Sequence, residues 1–428
     1  MRDLIVSMER NGVMQPVGRI IGDTAADSRF VYSEDYLKRD DAVGVSLSLP
    51  PQAEPFSPEQ TKCFFEGLLP EGFTRRTVAQ WMHVAEEDYL SILHGLGREC
   101  LGALCITAEG EESGEASYLP ITENEVRELA AEGATKSAEL VTKSHLSLTG
   151  ASGKAGLYYD VENNAWYLPR GTAPSTHIIK QSHVRLEGIV ANERLSLMTA
   201  ARCGIETAGS FIINTGNGAD REVLFATERY DRRLLPDSKR IGTLRCPLRL
   251  HQEDFAQAMG IPASEKYEKE PRGYLRNMFA LLRNHAANPI ADQLKLWDML
   301  VFNYLIGNTD SHIKNCSLLY SPNQKTVRLA PAYDMISTTV YEQSTRDMSF
   351  YIGGALSLDD LSRESFRLAA REIGMGERMA MRRFETMCEN FRPALHRSAE
   401  ELAAEGFSQA ASLEHRILET GGIQHEKQ

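Results

Sequence analysis

Five polar side chains that could take part in acid–base or metal chemistry lie within one short stretch of the chain: Asn308, Asp310, His312, Lys314 and Asn315. The segment before them is apolar with helical spacing and runs up to a glycine, which is typical of a helix end. The pattern therefore predicts a loop held by a buried helix. Loops on rigid elements are where catalytic groups often lie.

The spacing within this loop points to one kind of chemistry. Asp310 and Asn315 form an Asp-x-x-x-x-Asn pattern, the spacing of the catalytic loop of protein kinases. Two short strands predicted within 316–330 come next, and Tyr333-Asp334 follows them. Because Mg²⁺ prefers carboxylate and amide oxygens, Asn315 and Asp334 are predicted to hold the metal, and Asp310 to orient or deprotonate the acceptor. The same residue types also cap helices and turns, so the pattern alone leaves a structural role open.

A glycine-containing segment upstream could contact phosphate. It comprises Gly150, Ala151, Ser152, Gly153 and Lys154 and lies between two strand-like flanks. Glycine permits sharp turns and close approach of the backbone to a phosphate group. The segment is not a Walker A motif, because alanine follows the lysine. An ordinary hairpin is the alternative interpretation.

Further elements follow in the order that kinases use. Lys180 ends a predicted strand, and Glu193 lies at the start of a predicted helix, as in the lysine–glutamate pair that positions ATP phosphates. A later strand leads into Glu228, Tyr230 and Asp231, where a kinase would have its hinge. The main chain of Glu228 and Tyr230 would then face adenine, with Asp231 near the ribose. Solvated strand-end and helix-dipole roles remain open for Lys180 and Glu193.

The order of these elements predicts an α+β, two-lobed protein-kinase-like fold. It would have a β-rich N-terminal lobe with an extra small N-terminal subdomain, and an all-α C-terminal lobe. The predicted domains are 1–107, 108–234 and 235–428, with an acidic linker after residue 108. An Asn11-Gly12 hairpin, a strand over 43–49 and two late helices over 378–390 and 393–404 are also expected.

Composition limits the class of protein. Of the 428 residues, 42% are apolar and 25% charged, as in ordinary globular proteins. The seven cysteines form no Cys-x-x-Cys pair, so neither a disulfide framework nor a zinc site is expected. No apolar run approaches the ~18 residues of a membrane span, and a cytoplasmic location is expected. The net charge of −12 argues against the chain as a whole binding nucleic acid.

Beyond these separate patterns, the chain resembles the HipA family, serine/threonine kinase toxins of type II toxin–antitoxin modules. The resemblance rests on Ile-Gly-Asn-Thr-Asp-Ser-His-Ile-Lys-Asn at 306–315 and on the stretches 64–72, 147–150, 176–180, 228–233, 249–254, 266–268 and 329–334. It implies a catalytic Asp310, a matching loop histidine at His312, magnesium at Asn315 and Asp334, and a phosphate contact for Lys180. It also implies that Lys154 and the glycine loop lie near the nucleotide, with Glu228 and Tyr230 at the adenine.

The resemblance further implies transfer of the ATP γ-phosphate to a protein Ser or Thr, with Mg²⁺ as the metal and growth arrest as the result. Family targets include aminoacyl-tRNA synthetases. Autophosphorylation at Ser147, or at Thr149, would shut the kinase off. The implied partner is a helix-turn-helix, HipB-like antitoxin, through which operator DNA would mainly be bound. The alternatives are a nucleotide-binding corepressor without significant turnover and a small-molecule kinase.

Overall fold

A computed structural model describes residues 3–111, 114–132, 153–182 and 186–426. The chain divides into two compact units, and each is assembled from separate stretches of sequence. The first unit comprises Met1–Gln181, Ala226–Ala263 and Leu319–Val327; the second comprises Ser182–Phe225, Ser264–Leu318 and Arg328–Gln428. The described helices include none that is long and apolar enough to cross a membrane.

The first unit begins with a four-stranded antiparallel sheet and four helices. The elements are β1 (Leu4–Arg10), β2 (Val13–Ile21), β3 (Arg29–Tyr32), α1 (Glu34–Leu37), α2 (Pro58–Glu66), α3 (Gly72–Met82), α4 (Tyr89–Leu96) and β4 (Leu104–Ala108), with strand order β3-β2-β1-β4. The predicted hairpin is confirmed: Asn11 and Gly12 have φ of 50° and 78°, as tight two-residue turns between strands require.

The strand predicted over 43–49 is wrong. The segment instead folds into turns with a single bridge between Ser46 and Leu49. The Tyr32 hydroxyl accepts from the Val45 N–H at 2.7 Å and donates to the Leu49 carbonyl at 2.5 Å. A buried tyrosine therefore satisfies backbone groups that a neighbouring strand would otherwise pair, and alternation in the sequence could not reveal that partner.

A second sheet follows in the same unit. Its elements are β5 (Ser117–Ile121), α5 (Glu123–Glu132), β6 (Lys154–Asp160), β7 (Ala165–Arg170) and β8 (His177–Gln181), with strand order β5-β7-β6-β8. The strand predicted to end at Lys180 is confirmed, and it ends one residue later, at Gln181. Strand β5 begins just after the acidic segment 109–115, which is predicted to be a linker, and pairs with β7 at the edge of the sheet.

The chain then enters the second unit with α6 (Ile189–Arg202), β9 (Ser210–Asn214) and β10 (Val223–Glu228), whose last three residues belong to the first unit. Helix α6 starts earlier than predicted, because Gly188 caps it with φ of 71° and its N–H donates to Asp220 Oδ2 at 3.0 Å. Glu193 is therefore buried within the helix and does not lie at its exposed first turn.

Short strands and one helix complete the first unit: β11 (Arg232–Arg233), β12 (Arg240–Ile241), β13 (Leu244–Arg245), β14 (Leu248–Arg249), β15 (Gln252–Asp254) and α7 (Phe255–Met259). Around them lies a buried charge network, formed by Glu9, Glu99, Arg229, Asp231, Arg232 and Arg249. Its three carboxylates and three guanidinium groups are equal in number, so the network as a whole carries no net charge.

Glu99 lies at the centre of the buried charge network. Its Oε1 accepts from Arg229 and Arg232, both at 2.9 Å, and its Oε2 accepts from Arg249 at 2.9 Å. Burial alone would raise the pKa of Glu99, but the three arginines outweigh burial and hold that pKa below its ordinary value. Charges buried this completely persist only when they are paired and hydrogen-bonded.

The remainder of the chain is mostly helical. It comprises α8 (Tyr274–His285), α9 (Pro289–Ile306), β16 (Ser317–Tyr320), β17 (Val327–Leu329), β18 (Asp347–Ile352), β19 (Ala355–Ser357), α10 (Arg363–Glu372), α11 (Glu377–Ala404) and α12 (Ala410–Thr420). The part predicted to be all α thus also contains short antiparallel strands, among them the β18–β19 pair. The hairpin predicted after the loop, β16 and β17, is confirmed.

The two helices predicted around residue 393 form one continuous helix, α11, with Pro393 inside it. A buried apolar face runs past the proline on both sides and includes Phe384, Phe391 and Leu395. Packing of this face outweighs the loss of one backbone hydrogen bond at proline. Rings of Tyr304, Phe366 and Phe384 lie 4.7–6.3 Å apart, and they fix α9 against α10 and α11.

Glu253 is a buried carboxylate of the first unit outside the charge network. It accepts from Ser46 Oγ at 2.5 Å, from the Leu47 N–H at 3.1 Å and from the Tyr320 hydroxyl. Burial raises its pKa from 4.5 to about 7. Between these values the folded chain binds a proton that the unfolded chain does not, so stability falls as the pH rises through this window.

We expect Glu253→Gln to remove this pH dependence. Relative to wild type, the variant should gain on the order of 3 kcal/mol between pH 5 and pH 8, because glutamine has no proton to lose. Urea unfolding across that range measures the effect, with exposed Glu54→Gln as the control. A Glu253→Gln curve parallel to that of wild type would contradict the assignment.

Candidate active site

The predicted loop begins where helix α9 ends. The helix is capped at its start by Asn288, whose side chain accepts from the Ala291 N–H, and ends at Gly307 with φ of 72°. Backward hydrogen bonds close this end, including Asn308 N–H to the Asn303 carbonyl at 2.8 Å. The helix stop predicted from sequence is confirmed, and it turns the chain sharply out of a buried helix.

The residues after the helix are held by hydrogen bonds with side chains of the segment 338–349. Thr309 Oγ1 lies 2.7 Å from Thr338 Oγ1, and the Thr309 N–H donates to the same oxygen at 2.8 Å. Ser349 Oγ donates to the Thr309 carbonyl at 2.8 Å. Asn308 and Thr309 are only 2% and 3% exposed. The loop is therefore fixed by buried hydrogen bonds to the segment 338–349.

Asp310 is the exposed residue of this buried loop. Its own N–H donates to Asn308 Oδ1 at 3.2 Å, and its carbonyl accepts from the His312 N–H and from Asn315 Nδ2, both at 2.8 Å. Both the N–H and the carbonyl of Asp310 thus form hydrogen bonds, while its carboxylate faces outward. This arrangement suits a group that must meet a second molecule.

His312 and Lys314 are largely buried, in contrast to Asp310. The His312 ring meets the edge of the Tyr267 ring, with centroids 5.2 Å apart and planes at 81°. The Tyr267 hydroxyl donates to Asp310 Oδ1. His312 therefore contributes to the packing beneath the carboxylate, and its predicted catalytic role stays a prediction.

Tyr333, the residue before Asp334, contacts the segment that contains Asn315. The Tyr333 hydroxyl donates to the Lys314 carbonyl at 2.9 Å and lies 2.6 Å from Ser317 Oγ. Asp334 itself has φ of 56°, in the left-handed region that few residues other than glycine, asparagine and aspartate adopt. The Tyr333 side chain thus links the segment of Asp334 to the segment of Asn315, and their shared metal role stays a prediction.

The donor set at this place suits a magnesium ion. The amide nitrogen of Asn315 is used by the Asp310 carbonyl, so the amide oxygen is the atom that would face a cation. Asp334 supplies a partly exposed carboxylate. Oxygen ligands of these two kinds, completed by phosphate and water, are what Mg²⁺ usually takes. In the described ranges no group of three or more His, Cys, Asp or Glu forms a metal-binding cluster.

In the first unit, two predicted phosphate contacts lie opposite each other. Lys154 of β6 and Lys180 of β8 are register partners of an antiparallel pair, so both side chains leave the same face of the sheet. Lys180 is only 8% exposed. The pair concentrates positive charge next to Gly153. Ser147, Thr149, Gly150, Ala151 and Ser152 lie outside the described residues.

At the predicted hinge, Glu228 and Tyr230 lie in different surroundings. Glu228 is exposed, and the N–H of the next residue, Arg229, donates at 2.9 Å to the carbonyl of Thr176, which immediately precedes β8. The Tyr230 hydroxyl donates to Gln252 Oε1. The backbone roles expected of Glu228 and Tyr230 stay predictions.

Asp231 requires a correction, because its carboxylate belongs to the buried charge network. It is 2% exposed, accepts from Arg229 Nη2 and from the Gly102 N–H, both at 2.7 Å, and we leave it out of the site. Burial would raise its pKa, but Arg229 and Arg232 lower it to about 2. Sequence reasoning missed this network, because its only local signal is Arg229 and Arg232 on either side of Asp231, whereas Arg249 lies farther along the chain.

The fold and the loop define a mixed α/β kinase-like protein. Family models match both parts of the chain: the HipA N-terminal domain over residues 11–107 and the HipA-like C-terminal domain over residues 146–395. The chain therefore belongs to the HipA family of kinases.

Individual relatives agree with this placement. The chain is 33% identical over 397 residues to a putative kinase, Y4mE, of Sinorhizobium fredii, covering 90% of each chain. It is 27% identical to the serine/threonine-protein kinase toxin HipA of Shewanella oneidensis, covering 84% of this chain and 81% of that one. A structure of HipA with HipB and operator DNA from the same organism matches with a TM-score of 0.78 and 22% identity, over 97% of each chain.

We expect Gly307→Ala to destabilise the second unit strongly. A Cβ at this position would lie 2.1 Å from Thr339 Oγ1, in addition to the strain of φ 72°. The expected cost is roughly 3 kcal/mol, of which about 1 to 2 kcal/mol is conformational. Unfolding in urea measures it. Gly354→Ala is the matched control, because φ is 87° there and no atom lies within 4 Å. Equal losses in the two variants would contradict the packing argument.

Proposed function

We propose that this chain is an ATP-dependent serine/threonine protein kinase toxin, which transfers the γ-phosphate of Mg-ATP to a protein Ser or Thr and so arrests growth. The observation that carries the proposal is the loop geometry of the second unit. Asp310 is exposed on a largely buried, hydrogen-bonded loop, Asn315 donates to the Asp310 carbonyl, and Tyr333, next to Asp334, donates to the Lys314 carbonyl. Identity to kinases of the HipA family supports the same chemistry.

In this proposal Asp310 acts on the acceptor. Its exposed carboxylate accepts a hydrogen bond from the acceptor hydroxyl and orients the hydroxyl oxygen for attack on the γ-phosphorus. As the new oxygen–phosphorus bond forms, the bond from the γ-phosphorus to the bridging oxygen breaks, ADP leaves, and the carboxylate takes the hydroxyl proton. The fixed backbone of the loop limits where the carboxylate can point, and such positioning supplies much of the catalysis in phosphoryl transfer.

Asn315 and Asp334 would hold the magnesium ion, which when bound neutralises charge on the phosphates. Lys154 and Lys180 would contact the phosphates as cations, next to the glycine segment that ends at Gly153. Their cross-strand register supports this role, because it places both side chains on one face of the sheet, where they can contact the same anion. Glu228 and Tyr230 would meet adenine through their main chain.

The protein partner would be a HipB-like antitoxin with a helix-turn-helix DNA-binding domain. The similar HipA of Shewanella oneidensis is seen with HipB and operator DNA, which supports this assignment. A net charge of −12 disfavours direct binding of this chain to phosphates of DNA, so the antitoxin would supply most of the operator contact. Autophosphorylation of Ser147 or Thr149 would provide self-inhibition, and aminoacyl-tRNA synthetases are the first targets to examine.

Asp310→Ala should abolish both phosphotransfer and growth arrest. We expect the rate of transfer from γ-labelled ATP to fall at least ~100-fold, since general-base positioning is lost. The measurement is phosphosite mapping after induction, together with labelling of host lysate by the purified chain. Asp360→Asn, an exposed carboxylate of the same unit, is the control. Persistent turnover and arrest in Asp310→Ala would refute the mechanism, and labelling confined to small molecules would refute a protein acceptor.

Asp334→Asn tests the metal role separately from folding. Asparagine tolerates a φ of 56° as aspartate does, so the backbone should be preserved. We expect the Mg²⁺ concentration for half-maximal activity to rise ~10-fold or more, because a charged ligand is replaced by a neutral one. Magnesium titration of ATP turnover measures this. An unchanged magnesium requirement would exclude Asp334 as a ligand.

A further inference from the structure

A tyrosine outside the loop contacts the proposed catalytic carboxylate. The Tyr267 hydroxyl donates to Asp310 Oδ1, while the Tyr267 ring packs edge-on against His312. Tyr267 is 41% exposed, so its hydroxyl lies where the carboxylate meets solvent. Both partners of this hydrogen bond are exposed, so the bond lies at the surface where a second molecule could meet the carboxylate.

The position of Tyr267 is set by the residue that follows it. Glu268 is 3% exposed and its Oε1 accepts from the N–H groups of Arg272 at 2.6 Å and Tyr274 at 3.0 Å. Its Oε2 accepts from the Tyr351 N–H at 3.0 Å. One buried carboxylate thus ties the segment before α8 to strand β18. Tyr267 is held by this arrangement even though its own side chain is partly exposed.

Ser349 of strand β18 forms hydrogen bonds with the sequence neighbours of both Tyr267 and Asp310. The carbonyl of Ser349 accepts from the Glu268 N–H at 2.8 Å, and Ser349 Oγ donates to the Thr309 carbonyl at 2.8 Å. Tyr267 and Asp310 are the immediate neighbours of these two bonded residues. These contacts therefore hold the backbone beside Tyr267 and beside Asp310 against the same strand residue.

We propose that Tyr267 is a positioning residue for Asp310. Its hydroxyl holds Oδ1 and so fixes the rotation of the carboxylate, which directs Oδ2 to the acceptor hydroxyl. This inference rests on the proposed kinase function and names a residue that acts through the catalytic aspartate. A hydrogen bond to a charged group is among the stronger ones in proteins, so it can select one orientation of an exposed side chain.

Tyr267→Phe tests the proposal, because it removes the hydroxyl and keeps the ring against His312. With a serine- and threonine-containing peptide library as the acceptor, kcat should fall ~10- to 100-fold, whereas KM for ATP should stay within about twofold. Tyr351→Phe is the matched control, since that hydroxyl makes only a 3.5 Å contact to the Lys269 carbonyl. In an Asp310→Ala background, Tyr267→Phe should cause no further loss.

The other outcomes overturn the proposal in distinguishable ways. A Tyr267→Phe variant as active as wild type would show that the hydroxyl does not position the carboxylate. A rise in kcat/KM for the acceptor would show that Tyr267 occludes Asp310. A rise in KM for ATP with kcat unchanged would place the role of Tyr267 in nucleotide binding. A wild-type chain without phosphotransfer would overturn this inference together with the proposed function, whereas the other results leave the kinase function intact.

Discussion

The candidate site depends on a loop backbone that is held by side chains and main-chain contacts from one other segment. Gly307 turns the chain out of α9, and Thr309 is then bonded to Thr338 and Ser349. The Ser349 contact is buried and the Thr338 contacts are partly buried, so water competes little with them. The carboxylate of Asp310 can therefore be exposed while the backbone of the residue stays fixed, as preorganised catalysis requires.

Charge is used in two different ways in the first unit. In the buried charge network, three acids and three arginines neutralise one another, and they join residues as far apart in sequence as Glu9 and Arg249. Breaking such a network by removing one partner usually costs several kcal/mol, because an uncompensated buried charge remains. Lys154 and Lys180 lie outside this network and extend from one face of a sheet as register partners. The network belongs to the core of the fold, whereas the two lysines are the residues that we propose for phosphate contact.

The loop was predictable from sequence because its determinants are local: the apolar helix, the glycine stop and the Asp-x-x-x-x-Asn spacing all lie within a few turns. Other features were not predictable, because their causes lie far away in the chain. The segment 43–49 is not a strand, because the hydroxyls of Tyr32 and Tyr36 accept hydrogen bonds from its backbone N–H groups. Helix α11 continues through Pro393 because its apolar face is packed. Asp231 joined the charge network through arginines whose shared partner, Glu99, lies more than 100 positions earlier.

The central claim is that Asn315 and Asp334 share one cation that also binds the phosphates of a nucleotide. A crystal structure of the chain with Mg²⁺ and a non-hydrolysable ATP analogue tests it most directly. The account predicts a single ion bonded to the Asn315 amide oxygen and to the Asp334 carboxylate at about 2.0–2.1 Å. An ion held by phosphate and water alone, with both side chains turned away from it, would contradict the account.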